Sequence, residues 1–496
     1  MSAPDRTPPG VGGFFSLFNL PPTVFRADLL ERLGEAMTQG TIHGATEIES
    51  GYVYLGQMVA HDVSKLTPPP NRSFFPAADI EQLRTAALDL DSVYGAGVNA
   101  PPVDVATGKL QLGRVLDEHG QFAAEDDLPR TLGGQALIGE ERDDENLLVA
   151  QLHVQFIKLH NYFVERCKAE KPAATPRDCF EQARTQLTLH YQQVVLYDYL
   201  ERILDPDVWQ YVVLNKRDSL WQPSACEALR MPIEFAAAAF RFGHSMVLPT
   251  YTLNRSERAD LKRLFALTGN GGLAGNAALP ASVAVNWEHF FATRDPVTLI
   301  NKALPIRPVT PIRMPDGTSL AVRNLMTGNK SMLPDAQAVV QHIWRAHHKL
   351  ATALHLRTLN AAELNPTAFF VVDPNQPPRV EKLLDRVGDD HGFDRKTPLW
   401  YYILAEAWHQ HQGARLGTLG SLIVGSVLRA LVTLSRPTIG EAAFRSQFIQ
   451  PTKKVPVSAA TPDGFVLSMD DLLGAVRSRD ARYATTDQPA RLLRVV

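Results

Sequence analysis

Cysteine is scarce: the 496-residue chain has three, Cys167, Cys179 and Cys226. At these spacings they make neither a disulfide framework nor a zinc pattern, so reduced, mostly buried thiols are expected rather than a disulfide-rich secreted scaffold. Neither sign of charge is in excess. The 50 Lys and Arg against 53 Asp and Glu give a formal net charge of −3, which leaves no basic footprint for a nucleic-acid partner. No run of about eighteen apolar residues occurs, so no membrane-spanning helix is read. The opening MSAPDRTPPGVGG has no basic stretch followed by an apolar one. No signal peptide is read there, and the cytoplasm is the default expectation, with leaderless export as the alternative. No internal repeat appears. What remains, 45% hydrophobic and 21% charged residues, is the composition of an ordinary globular protein.

Hydrophobic periodicity predicts helices over 45–63, 143–169, 177–204, 225–247, 335–358, 397–412 and 418–435. Strand-like runs are short, the best near Phe369–Val372 and Lys454–Val457. The proline-rich stretches at 66–76 and 366–378 read as loops, too short and too apolar to separate independent cores. The expectation is therefore a mainly α protein with one large helical domain over 45–435. Residues 1–44 are read as an N-terminal extension packed on it, and 436–496 as a C-terminal segment of the same domain.

Three fragments carry chemistry. In Gly56-Gln57-Met58-Val59-Ala60-His61-Asp62, Gln57 and His61 share a helix face, and Asp62 points elsewhere. Arg142-Asp143-Asp144-Glu145 opens a helix that continues through His153 and His160-Asn161; alone it reads as an acidic helix N-terminus suited to the macrodipole. In Phe240-Arg241-Phe242-Gly243-His244, Gly243 lets a flat ring approach the backbone, His244 suits an axial metal position, and Arg241 is three residues away. Taken singly, each fragment is better explained as ordinary core or surface.

Together they resemble the animal heme peroxidase superfamily, the myeloperoxidase and cyclooxygenase-like group. That pattern is a Gly-Gln-x-x-x-His-Asp helix, an Arg-x-x-Glu, a later His-Asn, and Phe-Arg-Phe-Gly-His. The resemblance spans about 45–435, and its compactness is similar to the bacterial branch. It implies heme b as cofactor, with His244 as the axial iron ligand, Asn324 accepting the proximal imidazole proton, and Arg241 reaching a propionate. It also implies His61 as the distal base, Arg142 as its charged partner and Gln57 lining the distal pocket. The activity implied is reduction of hydrogen peroxide through a ferryl intermediate with oxidation of a small electron donor: a phenol, halide or pseudohalide. A dedicated biosynthetic oxidase or peroxygenase, and a heme-binding relative without turnover, are the alternatives.

A further run, Thr85-Ala86-Ala87-Leu88-Asp89-Leu90-Asp91, alternates oxygen donors, as a loop wrapping calcium does. The resemblance assigns a Ca2+ site to Thr85, the Ala87 carbonyl, Asp89 and Asp91, completed by Asp62. Asp91 stands where the family usually has Ser. Other departures matter more. Ala60 replaces an Asp that forms a heme ester in many members, and Asn146 replaces a Met that adds a sulfonium link in one branch. Glu145 is then the one residue left for covalent attachment. Arg241 stands where lipid-oxidising relatives carry a radical-forming Tyr, which argues against that chemistry. His347-His348, Gly388-Asp389-Asp390-His391 and His409-Gln410-His411 are read as solvated surface rather than metal sites.

Overall fold

The computed structural model describes residues 12–95, 101–223, 230–269, 278–291, 300–314, 316–373, 375–388, 390–439, 444–458, 461 and 463–477. Cys226, Asp389 and the ends of the chain lie outside them. The fold is mainly α, as the periodicity predicts, and one continuous apolar cluster runs from Phe14 to Val476. No described helix is long and apolar enough to cross a membrane.

The first long helix, α1 (Ala27–Gln39), buries Leu30, Leu33 and Met37. The central helix, α2 (Gly51–Val63), is buried on nearly every side. It starts six residues later than expected because Glu49 is already paired with Lys302 in an antiparallel bridge: Ala303 donates to the Ile48 carbonyl and Ser50 to that of Asn301. Gly51 is required at the start, since a Cβ there would sit 2.3 Å from the Phe290 carbonyl oxygen. The next long helix, α3 (Leu147–Glu170), begins behind Asn146, whose side chain caps the amides of Leu148 and Val149. Residues Glu141–Asp144 form a separate 3-10 turn, so the expected start at 143 moves inward.

Helix α4 (Pro176–Val194) opens with a Thr175/Asp178 capping box. It continues through a π-helical stretch, Val195–Tyr199, into Leu200–Ile203. The widened turn brings Tyr199 against Gly56 of α2, where a Cβ would lie 2.4 Å from the tyrosine oxygen. Helix α5 (Leu320–Lys330) packs on α1. Helices α6 (Leu399–His411) and α7 (Thr418–Leu434) fall close to the predicted ranges. The range 335–358 divides instead into Ala336–Ala346 and His348–Ala353. Strands are short. Thr367–Phe370 joins Arg379–Lys382 and Gly40–Thr41, and Lys453–Lys454 pairs with Phe465–Val466.

The predicted helix 225–247 is the clear departure. Its described part is helical only over Ile233–Ala237, then breaks at Ala238 (φ −139°) into a 3-10 run, Ala239–Ser245. Tertiary donors explain the break. Trp400 donates its indole N–H to the Arg241 carbonyl at 3.1 Å, and the Thr310 hydroxyl donates to that of His244 at 3.0 Å. These carbonyls thus take donors from distant parts of the chain.

Gly34 marks the tightest helix–helix approach near this region: a Cβ on it would meet the Val322 amide nitrogen at 2.7 Å. Gly474, in the helix Met469–Arg477, would meet nothing within 4 Å. Gly34→Ala is expected to lower stability by about 1–3 kcal/mol through overpacking. Gly474→Ala should raise it by about 0.5–1 kcal/mol through helix propensity. Urea unfolding midpoints moving in opposite directions would check both.

Candidate active site

A cavity of about 320 Å3 lies between α2 and the 3-10 run Ala239–Ser245. Ligand pockets generally begin at about 300 Å3. Gln57 and His61 face it from α2, Arg142 and Glu145 from the turn before α3, and Arg241, Gly243 and His244 from the opposite wall. Seven residues singled out in separate fragments thus share one space. Asn324, on α5, stands behind His244. Phe235, Phe240, Leu261, Leu264 and Phe265 supply apolar lining.

On the α2 wall, Nδ1 of the buried His61 is 2.8 Å from Oδ1 of Asp143. The other oxygen, Oδ2, is 2.8 Å from Nδ1 of His153. Burial works against ionisation of Asp143, but the bonds from His153 and His61 hold it at about 2. Arg142 is anchored rather than free. Its Nε and Nη2 donate to Glu140 at 2.8 and 3.0 Å. Nη2 also donates to the carbonyls of His61 and Ser64, at 3.1 and 2.9 Å. The guanidinium therefore closes the C-terminal end of α2, where carbonyls lack helical partners. Arg84 adds a second ion pair to Glu140 at 2.7 Å. Burial disfavours the Glu140 carboxylate, yet Arg142, and then Arg84, hold it at about 2. Gln57 donates to the Glu145 carboxylate and accepts from Asn146 at 3.4 Å, so Glu145 is held where it borders the cavity.

On the opposite wall, Nδ1 of His244 lies 2.9 Å from the side-chain amide nitrogen of Asn324, which donates to it; the resemblance implied the reverse, with Asn324 accepting the imidazole proton, but the amide oxygen is taken by Arg241. Arg241 donates to Asn324 Oδ1 at 3.2 Å and to the Ala236 carbonyl at 2.9 Å. Among the described residues no carboxylate pairs with Arg241. Burial, and then Arg142 across the cavity, lower its pKa to about 10. Burial, and then the Arg241 charge, push His244 down to about 4, so the ring is neutral and able to ligate a metal. A Cβ on Gly243 would meet nothing within 4 Å, which leaves the face beside His244 open to a flat group.

The predicted calcium residues gather in one loop beside α2, but they bond to protein. Asp62 accepts from the amides of Leu90 and Ser92 and from the Ser92 hydroxyl. Thr85 donates to Asp89 at 2.8 Å, Asp91 pairs with Arg84 at 3.1 Å, and Ala87 is buried beside them. Burial, and then the neighbouring carboxylates, push Asp62 upward. Burial also raises Asp89 to about 6, with Asp91 adding to it against the bond from Thr85. Among the described residues no cluster of three His, Cys, Asp or Glu side chains is placed to hold a metal ion. His409 and His411 pair with Glu363 and Asp205.

Sequence reasoning passed over Glu140, Asp143 and His153 as functional residues. Asp143 reads as one more acidic residue at a helix start, and nothing local announces that His61 lies against it. Glu140 also carries a pH dependence. Its folded pKa, about 2, lies below its ordinary value, so its contribution is present above pH ~4.5 and is lost as pH falls toward ~2, a window of about 3 kcal/mol. Glu140→Gln should lower stability at neutral pH and flatten this acid limb, measurable by denaturant titration between about pH 2 and pH 7.

Residues 50–268 match the family described as animal haem peroxidase. The chain is 27% identical over 380 residues to thyroid peroxidase of Mus musculus, covering 70% of this chain and 37% of that protein. To dual oxidase of Drosophila melanogaster it is 28% identical over 119 residues, 23% of this chain and 7% of that protein. It therefore spans well under two thirds of these curated relatives. Among solved structures, peroxidase A of Dictyostelium discoideum aligns with a TM-score of 0.58 at 16% identity, over 86% of this chain and 88% of that one. The fatty acid alpha-dioxygenase of Oryza sativa aligns at 0.61 and 15%, over 96% and 82%. At such identities these structures establish the fold. Residues 50–268, which carry both His61 and His244, are thus similar to the animal haem peroxidase family, and the chain shares the fold of these solved structures.

Proposed function

We propose that the protein is a heme-dependent peroxidase that reduces hydrogen peroxide and oxidises a small donor, a phenol, halide or pseudohalide. One observation carries this reading. Two histidines from distant parts of the chain face the same cavity from opposite walls, and beside the neutral one lies a buried guanidinium with no carboxylate among the described residues.

These features fit heme b. His244 would hold the iron and Asn324 would orient its ring. Arg241 would take a propionate, the anion its surroundings lack, and the open face at Gly243 leaves room for the macrocycle. Glu145 is the residue in place for a single ester link. When bound, heme would supply the redox chemistry that carries the two oxidising equivalents of peroxide to the donor.

The chain's own work is to move a proton and stabilise charge. His61 accepts the peroxide proton at Nε2 and returns it to the departing oxygen, which leaves as water. Arg142, charged at every working pH, stabilises the negative charge on that oxygen. For a phenol, one hydrogen peroxide and two phenols give two waters and two phenoxyl radicals; for a halide or pseudohalide, one hydrogen peroxide, one anion and one proton give one hypohalous acid (or its pseudohalide equivalent) and one water. A calcium ion on Thr85, the Ala87 carbonyl, Asp89, Asp91 and Asp62 belongs to the same proposal. Its support is an all-oxygen donor set and crowded carboxylates that a cation would relieve; Asp91 would first have to give up Arg84.

The purified protein should show a Soret band and peroxide-dependent oxidation of a phenol. His244→Ala should lose the band. His61→Ala should keep it and slow the reaction with peroxide by about 10²–10⁴-fold. A wild-type chain that binds no heme would overturn the reading.

A further inference from the structure

We propose that Asp143 is the positioning residue for the distal base: its carboxylate fixes the His61 ring with the proton on Nδ1, so that the Nε2 lone pair faces the cavity. This rests on the heme peroxidase reading and adds to it the device that keeps the base in working form.

The bonding pattern leaves little choice. An ionised carboxylate only accepts hydrogen bonds. Asp143 has one ring nitrogen at 2.8 Å on each oxygen, so both rings must donate, and both carry a proton on Nδ1. A neutral His61 donating from Nδ1 has Nε2 free to accept. The carboxylate and both histidines are buried, Asp143 and His153 at 0% exposure, so water does not compete for these bonds. Asp143 is held ionised by the same two contacts.

His153 supports the assignment. Its Nε2 is buried with no hydrogen-bond partner among the described residues, a cost an apolar residue would avoid. The bond that justifies a histidine there is the one to Asp143. The carboxylate is then gripped from behind by His153 and presents its other oxygen to His61. The backbone is equally constrained. The amides of Arg142 and Asp143 both bond to Glu140, one through its side chain and one through its carbonyl. One short turn therefore places Arg142 on the end of α2 and Asp143 on the ring of His61. Without the carboxylate, the ring is free to take the other tautomer, whose Nε2–H points into the cavity and accepts nothing.

The test uses the full-length, heme-loaded protein in stopped flow. Two oxidants are compared, hydrogen peroxide and a peroxy acid, whose more acidic O–H needs less help from a base. Asp143→Ala should keep the Soret band, react with hydrogen peroxide about 100-fold more slowly, and lose less than about tenfold with the peroxy acid. Asp143→Leu, which fills the space left by the carboxylate, serves if the alanine variant does not fold. His153→Leu removes one of the two bonds that hold Asp143 and should shift the ratio of the two rates in the same direction as Asp143→Ala, but by less. Equal losses with both oxidants, or an unchanged ratio in a Soret-positive Asp143 variant, would remove the role of Asp143 alone. A wild-type chain without heme would remove the underlying reading with it.

Discussion

The end of α2 is held by buried charge, and the geometry of the cavity follows from that. Glu140 takes Arg142 and Arg84, while Asp143 takes His61 and His153. Both carboxylates belong to one turn and both are fully shielded from solvent. Removing one member of such a buried pair typically costs about 3–5 kcal/mol, because the charge left behind has no partner. The turn cannot shift without breaking several of these bonds at once. It thereby joins the 3-10 segment before α3 to the last turn of α2 and keeps His61 and Arg142 in a fixed relation. Arg84 extends the same network to Asp91, so the loop 85–91 and the distal wall are electrostatically continuous.

The two walls of the cavity differ in charge balance. On the α2 side Arg142 has Glu140, and the rings of His61 and His153 both bond to Asp143. On the opposite side Arg241 has, among the described residues, only neutral acceptors, Asn324 and the Ala236 carbonyl. A guanidinium in that setting is strained toward losing its proton, which is why its pKa falls to about 10. An arriving anion would restore the balance. Burial, and then the same uncompensated charge, keep His244 neutral.

Helix limits followed sequence signals where those signals were local. Thr175 with Asp178 announces α4, Pro398 precedes α6, and continuous apolar faces define α3 and α7. They failed where the backbone takes partners from distant chain. The start of α2 is set by extended pairing with 301–303. The segment 233–245 abandons the α-helix because Trp400 and Thr310 satisfy its carbonyls. Neither donor is visible from a window of periodicity. The π-helical turn at Val195–Tyr199, which brings Tyr199 onto Gly56, was equally hidden inside an ordinary helical pattern.

Residue identity alone determined the mainly α class and the candidates His61, Arg142, His244 and Arg241, because each type is chemically distinctive and sits in a recognisable short motif. Their gathering around one cavity was an expectation that only tertiary structure could decide. The anchoring of Arg142 by Glu140 and the pairing of Asp143 with His61 were not legible at all. Asp143 lies 82 residues from His61 and 10 from His153, and an acidic residue at a helix start looks the same whether it meets solvent or a buried ring. A carboxylate acquires its role from the donors packed around it, and packing is a property of the folded chain.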